Sequence, residues 1–114
     1  MDRLAALPLF FALGGRRAVV AGGNEAATWK AELLSAAGAA VEVWDSDPCA
    51  EMVALAADPP GGAVHLVRRS WTPESFAGAA LVIGATGDEA EAARIFGAAR
   101  ACGVPVNVID KPAY

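Results

Sequence analysis

The sequence predicts an α/β fold in which a single domain carries one parallel sheet with helices on both faces, a doubly wound architecture. Short apolar runs alternate along the 114 residues with segments of helical composition, and glycines or prolines separate the two kinds of segment. The composition, 55% hydrophobic and 19% charged, is that of a chain with a packed core, and it excludes a disordered chain.

Five apolar runs are the predicted strands, and helical segments lie between most of them. The strands are predicted at residues 17–21, 41–44, 64–67, 81–85 and 104–109. Helices are predicted at 25–37, 49–57 and 89–102, the last with Asp88 as its N-cap, and a short helical turn at 71–76. Strands separated by helices pair in parallel through right-handed crossovers, which predicts the strand order 3-2-1-4-5.

A ligand site is expected at one edge of this sheet. Parallel strands bring their carboxyl ends together, and ligands bind outside those ends where the strand order reverses. In the predicted order that point lies between the first and the fourth strand. Residues 22–26, 85–88 and 107–110 are expected to converge there.

The glycine-rich turn after the first strand has the pattern of a dinucleotide-binding, Rossmann-like fold. Gly22 suits the tight turn, and Ala27 suits close contact between the helix and the sheet. Asn24 stands where a second glycine would let the backbone approach a pyrophosphate. It either adopts a left-handed conformation or donates its amide to the ligand. The candidate phosphate-binding residues are Gly22, Gly23, Asn24, Glu25 and Ala26.

A carboxylate at the end of the second strand fits the same interpretation. Asp45 follows the glycine turn by about 20 residues, the spacing of the acid that binds an adenosine ribose. A carboxylate repels a 2′-phosphate, so Asp45 favours NAD over NADP. The alternative is that Asp45 and Asp47 cap the helix that follows them.

Asp110 is the candidate catalytic residue. It follows the last predicted strand, and a carboxylate at the carboxyl end of a parallel strand is well placed to act as a base. Its alternative role is to form a turn beside Lys111 and Pro112. Cys49 and Cys102 form no CxxC motif and no metal-ligand spacing, so no metal site is predicted.

Structural roles are expected for several other residues. His65 is predicted to be half-exposed in an edge strand. The two cysteines and the three tryptophans are expected to pack, and the two arginine pairs are expected to be solvated ends of strands. These residues are Cys49 and Cys102, Trp29, Trp44 and Trp71, and the pairs Arg16–Arg17 and Arg68–Arg69.

Charge and hydropathy limit the partners. A net charge of −4 argues against a nucleic-acid surface, and the apolar runs are shorter than the roughly 20 residues of a membrane span. The apolar run at 4–13 precedes arginines where a signal peptide has its cleavage site, so it is expected to stay in the mature chain. A reduced, cytoplasmic protein is the simplest interpretation.

Taken together, the motifs resemble the N-terminal domain of siroheme synthases, a family with precorrin-2 dehydrogenase and often sirohydrochlorin ferrochelatase activity. The resemblance runs from residue 7 to the last residue. It is carried by LPLF, AVVAGG, WKAELLSAAGA, LVIGATGD and, most specifically, NVIDKPAY.

The resemblance implies NAD-dependent oxidation of precorrin-2 to sirohydrochlorin in siroheme biosynthesis. It implies that NAD binds the glycine turn Gly22–Ala26, then Ser46 and Asp47, and Thr86 after the fourth strand. It also implies that Asp110 serves both dehydrogenation and insertion of ferrous iron into sirohydrochlorin, so tetrapyrroles and iron are the expected substrates.

The family also implies segments after the aspartate that form a homodimer interface and much of the tetrapyrrole pocket. Residues 1–114 are therefore expected to form the NAD-binding domain and to be inactive alone. The family commonly has a third glycine where this chain has Asn24. Two alternative functions remain open: a non-catalytic dinucleotide-sensing regulatory module, and a scaffold domain that has lost the cofactor.

Overall fold

The computed structural model describes residues 13–109. Within them, five parallel strands form one sheet in the order β3-β2-β1-β4-β5, which confirms the predicted fold class and strand order. The strands are β1 (Arg17–Ala21), β2 (Ala40–Trp44), β3 (Val64–Val67), β4 (Leu81–Gly84) and β5 (Val106–Val108). The helices are α1 (Glu25–Ala36), α2 (Ala50–Ala57) and α3 (Glu89–Ala101), and a 3₁₀-helix spans Pro73–Phe76.

The sheet separates two hydrophobic cores. Side chains alternate between the faces of a strand, so Val19 and Val20 at the centre of β1 point in opposite directions, and both are fully buried. On one face, Val20 joins a cluster with residues of α1 and α2. On the other, Val19 packs in a cluster that includes Phe76 of the 3₁₀-helix and Ile95 of α3. This burial on both faces explains the uninterrupted apolar run of β1.

The last strand is shorter than predicted. The sequence favoured 104–109, whereas β5 begins at Val106. Val104 donates its N–H to Ala99 at the end of α3 (3.0 Å) and so still belongs to the connection. Pro105 has no N–H to offer a sheet, although its carbonyl accepts from Val82 (2.9 Å).

The α-helices α1 and α3 begin with a side-chain cap at their N-terminus. Asn24 accepts from the N–H of Ala27 at the start of α1 (2.9 Å). Asp88 accepts from the N–H of Ala90 at the start of α3 (3.2 Å), as the sequence predicted. Helix α2 begins after Cys49, whose side chain makes no capping bond.

The expectation that Arg17 is a solvated strand end was wrong. Its guanidinium makes two bonds to the Glu42 carboxylate, at 3.0 and 2.9 Å. It also donates to the carbonyl oxygens of Ala77 (3.0 Å) and Ser75. Register explains this, because Arg17 and Glu42 lie on neighbouring strands and on the face that the 3₁₀-helix covers. Arg17 thus ties β1 and β2 to that helix.

The other structural expectations had mixed outcomes. His65 is exposed on β3, an edge strand, and Trp44 and Trp71 are partly buried against the core. Packing was the wrong expectation for Trp29, which is 63% exposed, and for Cys102, which is exposed. In the described part of the chain no helix is both long and apolar enough to cross a membrane.

Candidate nucleotide-binding site

A cavity of about 190 Å³ lies at the carboxyl ends of β1, β2 and β4. This is the edge where the topology predicts a ligand site. Its lining combines predicted residues with residues from the connection after β3 and from α3: Gly22, Trp44, Asp45, Ser46, Ser70, Trp71, Ala85 and Glu91. Protein pockets for whole small ligands usually measure about 300–1,000 Å³, so this cavity accommodates one part of a dinucleotide.

Gly22 holds a conformation that other residues rarely adopt. Its φ is +115°, and an added Cβ would collide with the carbonyl oxygen of Ala85. Its N–H donates to the carbonyl of Trp44 at 2.9 Å. The absence of a side chain therefore lets the turn pass directly beside the end of β4.

Gly23 is held by Asp45. Its N–H donates to Oδ2 of Asp45 at 2.7 Å, and its carbonyl accepts from the N–H of Cys49 at 2.8 Å. The other oxygen of Asp45 accepts from the N–H of Asp47 at 2.9 Å. The alternative that Asp45 and Asp47 cap the following helix is wrong, because Cys49 is the N-cap of α2 and no side chain caps it. Asp45 instead joins the end of β2 to the glycine turn.

Asn24 takes neither of the two roles considered for it. Its φ of −88° is ordinary extended backbone, not a left-handed conformation. Its Oδ1 caps α1, and its Nδ2 donates to the carbonyl of Ala85 at 3.2 Å rather than standing free for a ligand. The side chain that replaces a glycine therefore fastens the start of α1 to the end of β4.

The remaining groups fit a nicotinamide dinucleotide. The first turn of a helix has N–H groups without partners inside the helix. The side chain of Asn24 accepts from the N–H of Ala27. The N–H groups of Glu25 and Ala26 are then available to a phosphate at the positive end of α1. Each carboxylate oxygen of Asp45 has a further lone pair for a ribose hydroxyl. The cavity beside them has room for a ring.

Thr86 lies in the turn after β4, and Asn107 lies on β5. Thr86 follows β4, is partly buried, and accepts from the N–H of Asp88 through its hydroxyl at 3.0 Å. Asn107 is exposed on β5. Ile109 donates its N–H to Gly84 at 2.8 Å. Asp110, the candidate base, lies outside the described residues.

Sequence reasoning missed Trp71 and Glu91 as residues of this edge. The indole N–H of Trp71 donates to Oε2 of Glu91 at 3.1 Å, and its ring stacks on Phe76 with centroids 5.0 Å apart. The residues come from separate elements, so no local spacing connects them. The one available signal was the indole N–H, which needs an acceptor when it is partly buried.

Residues 13–109 contain no group of three or more histidine, cysteine, aspartate or glutamate side chains that could hold a metal ion.

A doubly wound parallel sheet, a glycine turn before α1 and an aspartate at the end of β2 define the dinucleotide-binding class of α/β domains. The chain belongs to the NAD_binding_7 family, whose model is described as "Putative NAD(P)-binding" and matches residues 9–114. Its cofactor is accordingly of the nicotinamide dinucleotide class.

The chain is also similar in sequence to siroheme synthases. The chain is 46% identical over 107 residues to a siroheme synthase of Ectopseudomonas mendocina (strain ymp), and 43% identical over 107 residues to one of Pseudomonas aeruginosa (strain UCBPP-PA14). Each match covers 94% of this chain and 22% of the relative, so the chain spans about a fifth of these curated relatives. The predicted resemblance to siroheme synthases is confirmed.

A solved structure, "SirC, precorrin-2 dehydrogenase", has the same fold. It matches with a TM-score of 0.75 and 23% sequence identity, over 89% of this chain and 50% of that one.

Proposed function

We propose that this chain is the NAD-binding part of a precorrin-2 dehydrogenase of siroheme biosynthesis, which oxidises precorrin-2 to sirohydrochlorin. The observation that carries the proposal is the glycine turn, which Asp45 and Ala85 hold from two sides at the carboxyl edge of the sheet. Similarity to siroheme synthases over 94% of the chain supports the choice of substrate.

Different residues of the chain bind different parts of the cofactor. The backbone of Gly22, Gly23 and Asn24 shapes the turn, and the N–H groups of Glu25 and Ala26 bind the pyrophosphate. Asp45 accepts from the adenosine ribose, and the exposed Ser46 and Asp47 flank that ribose at the end of β2. The negative charge of Asp45 selects NAD over NADP, because a 2′-phosphate would lie against it. Thr86 contributes from the turn after β4.

The chemistry requires one base. When bound, NAD accepts a hydride from precorrin-2. Asp110 receives the proton that leaves with it, so the substrate loses two hydrogens and two electrons. The same carboxylate takes pyrrole N–H protons as ferrous iron, a substrate, enters sirohydrochlorin in the ferrochelatase reaction that the family resemblance implies.

The rest of the reaction needs more protein than this domain. We assign much of the tetrapyrrole pocket and a homodimer interface to segments outside residues 1–114, as the family resemblance implies; the chain spans 22% of its relative's length. We place the enzyme in the cytoplasm, where the free thiols of Cys49 and Cys102 remain reduced.

A titration with NADH and, separately, NADPH tests the proposal. Trp44 and Trp71 line the cavity, so energy transfer from tryptophan to the reduced nicotinamide reports binding. We expect saturable binding of both, with NADH the tighter ligand. Failure of both to bind would overturn the proposal, and equal or tighter binding of NADPH would overturn the role of Asp45.

A further inference from the structure

We infer that Trp71 forms the wall against which the adenine base of the cofactor rests. The inference rests on the proposed function, and it assigns one ring of the dinucleotide to one side chain. Trp71 comes from the connection between β3 and the 3₁₀-helix, far in sequence from the glycine turn, yet both line the same cavity.

The position of the cavity decides which part of the cofactor enters it. The acid at the end of the second strand binds the adenosine ribose in dinucleotide folds, and here that acid is Asp45. Adenine is joined to that ribose by a single glycosidic bond, so the base must lie beside Asp45. The cavity begins at Asp45 and Ser46 and is bounded by Trp71 and Glu91. With about 190 Å³ it has room for one base, and Trp71 and Glu91 also line an adjoining cavity of about 780 Å³.

Trp71 is already fixed in orientation. Its indole N–H donates to Glu91 at 3.1 Å, and its ring stacks on Phe76 at an interplanar angle of 16°. Phe76 is itself fully buried. A ring held in this way loses little rotamer freedom when a base stacks on it, and aromatic rings are general partners for nucleobases.

The other tryptophans do not compete for this role. Trp44 lines the same cavity, but Arg69 lies over its ring at 5.3 Å. Trp29 lies on α1, is 63% exposed and does not line the cavity. Trp29 therefore provides a matched control for the loss of an indole.

The test compares Trp71→Leu with Trp29→Leu by calorimetric titration, which does not depend on tryptophan emission. The probes are NADH, ADP-ribose, which keeps the adenosine half, and reduced nicotinamide mononucleotide, which lacks it. We expect Trp71→Leu to weaken NADH and ADP-ribose by roughly tenfold, the order of magnitude of an aromatic–base stack. Reduced nicotinamide mononucleotide should bind equally to all variants, and Trp29→Leu should bind every probe like the unaltered chain.

A second variant allows the test to be made if Trp71→Leu does not fold. If circular dichroism shows that Trp71→Leu is unfolded, Trp71→Phe keeps a ring against Phe76 and should weaken NADH by a smaller factor. In addition, a chain with Trp29→Phe and Trp44→Phe retains only Trp71, whose emission should be quenched by ADP-ribose and not by ribose 5-phosphate.

The outcomes separate the two proposals. Unchanged affinity for NADH and ADP-ribose in folded Trp71 variants, or no quenching by ADP-ribose, overturns the assignment of Trp71 and leaves the proposed function standing. Absence of NADH binding in the unaltered chain overturns the proposed function and this assignment with it.

Discussion

The N–H of Gly23 donates to Oδ2 of Asp45 at 2.7 Å, so a carboxylate at the end of β2 holds the glycine turn that follows β1. The second oxygen of Asp45 accepts from the N–H of Asp47 at 2.9 Å. The group that we propose to bind the ribose is therefore also a structural support of the phosphate-binding turn. A change at Asp45 should alter affinity and stability together.

Asp45→Asn removes the charge and replaces one accepting oxygen by an amide that cannot accept from a backbone N–H. We expect the free energy of unfolding to fall by about 1.5 kcal/mol, the size of a hydrogen bond to a charged group. NADH affinity should fall, and the ratio of NADPH to NADH affinity should rise. Denaturant unfolding and the two titrations measure these changes. Asp58→Asn, an exposed position after α2, is the control, and an unchanged cofactor ratio in Asp45→Asn would contradict the prediction.

Asn24→Ala should destabilise more than Asn24→Gly. Loss of an N-cap to alanine costs about 1 kcal/mol, whereas glycine costs a few tenths. Both variants also lose the bond from Nδ2 to the carbonyl of Ala85. Urea unfolding of both variants measures the difference. If Asn24→Gly proved clearly more stable than the unaltered chain, the link to Ala85 would contribute nothing.

Gly22→Ala and Gly97→Ala should have opposite effects on stability. At Gly22 the φ of +115° and the carbonyl of Ala85 oppose a Cβ, so we expect a loss of about 2 kcal/mol or more. Gly97 lies in α3 with nothing within 4 Å of an added Cβ, so alanine should stabilise by about 0.5–1 kcal/mol through helix propensity. Thermal unfolding of the pair checks both signs, and a neutral Gly22→Ala would contradict the close approach to β4.

Glu42 should make the folded state sensitive to acid. The hydrogen bonds from Arg17 lower the pKa of Glu42 from its ordinary 4.5, opposed by burial and assisted by the Trp44 indole and by the charges of Arg17 and His65. A lowered folded-state pKa contributes stability that is complete above the unfolded value and is lost as the pH falls through the folded value. Glu42→Gln should therefore flatten the decline in stability below about pH 5.

The measurement for Glu42 is urea unfolding across the acid range, with Glu32→Gln on the exposed side of α1 as the control. An equally steep decline in Glu42→Gln and in the unaltered chain would show that the ion pair with Arg17 does not govern the acid sensitivity.

Asp110→Asn should separate binding from chemistry. In a longer protein that contains the tetrapyrrole pocket, we expect precorrin-2 oxidation to fall by about 10²-fold or more, because a general base contributes about that much. NADH affinity should remain unchanged, since the proposed cofactor contacts do not involve Asp110. Full oxidation activity in Asp110→Asn would contradict its role as the base.

The architecture was accessible from sequence because its signals are local. The apolar run at residues 18–21 marks β1, and Gly38, with a φ of +90°, marks the end of α1. The strand order then followed from the handedness of the connections. The start of the last strand was predicted wrongly, because the N–H of Val104 donates to the carbonyl of Ala99 near the end of α3 and not to the sheet.

The site was accessible only in part, because its contacts join distant segments. The sequence identified Gly23 and Asp45 separately, but their hydrogen bond spans 22 positions and depends on how β1 and β2 are aligned. The same alignment places Arg17 beside Glu42, with which it pairs, although the sequence predicted that Arg17 is a solvated strand end. Trp71 was expected to pack, and its position at the cavity depends on the path of an irregular connection.

The carbonyl of Ala85, which adjoins Gly22 and accepts from Asn24, has a thermodynamic consequence for ligand binding. Ordering the backbone of one residue costs about 1–2 kcal/mol in conformational entropy, and a loop that orders only around its ligand subtracts that cost from affinity. Here the turn acquires its shape when the chain folds. A dinucleotide therefore meets a preorganised surface, and its affinity is not reduced by the cost of ordering the turn.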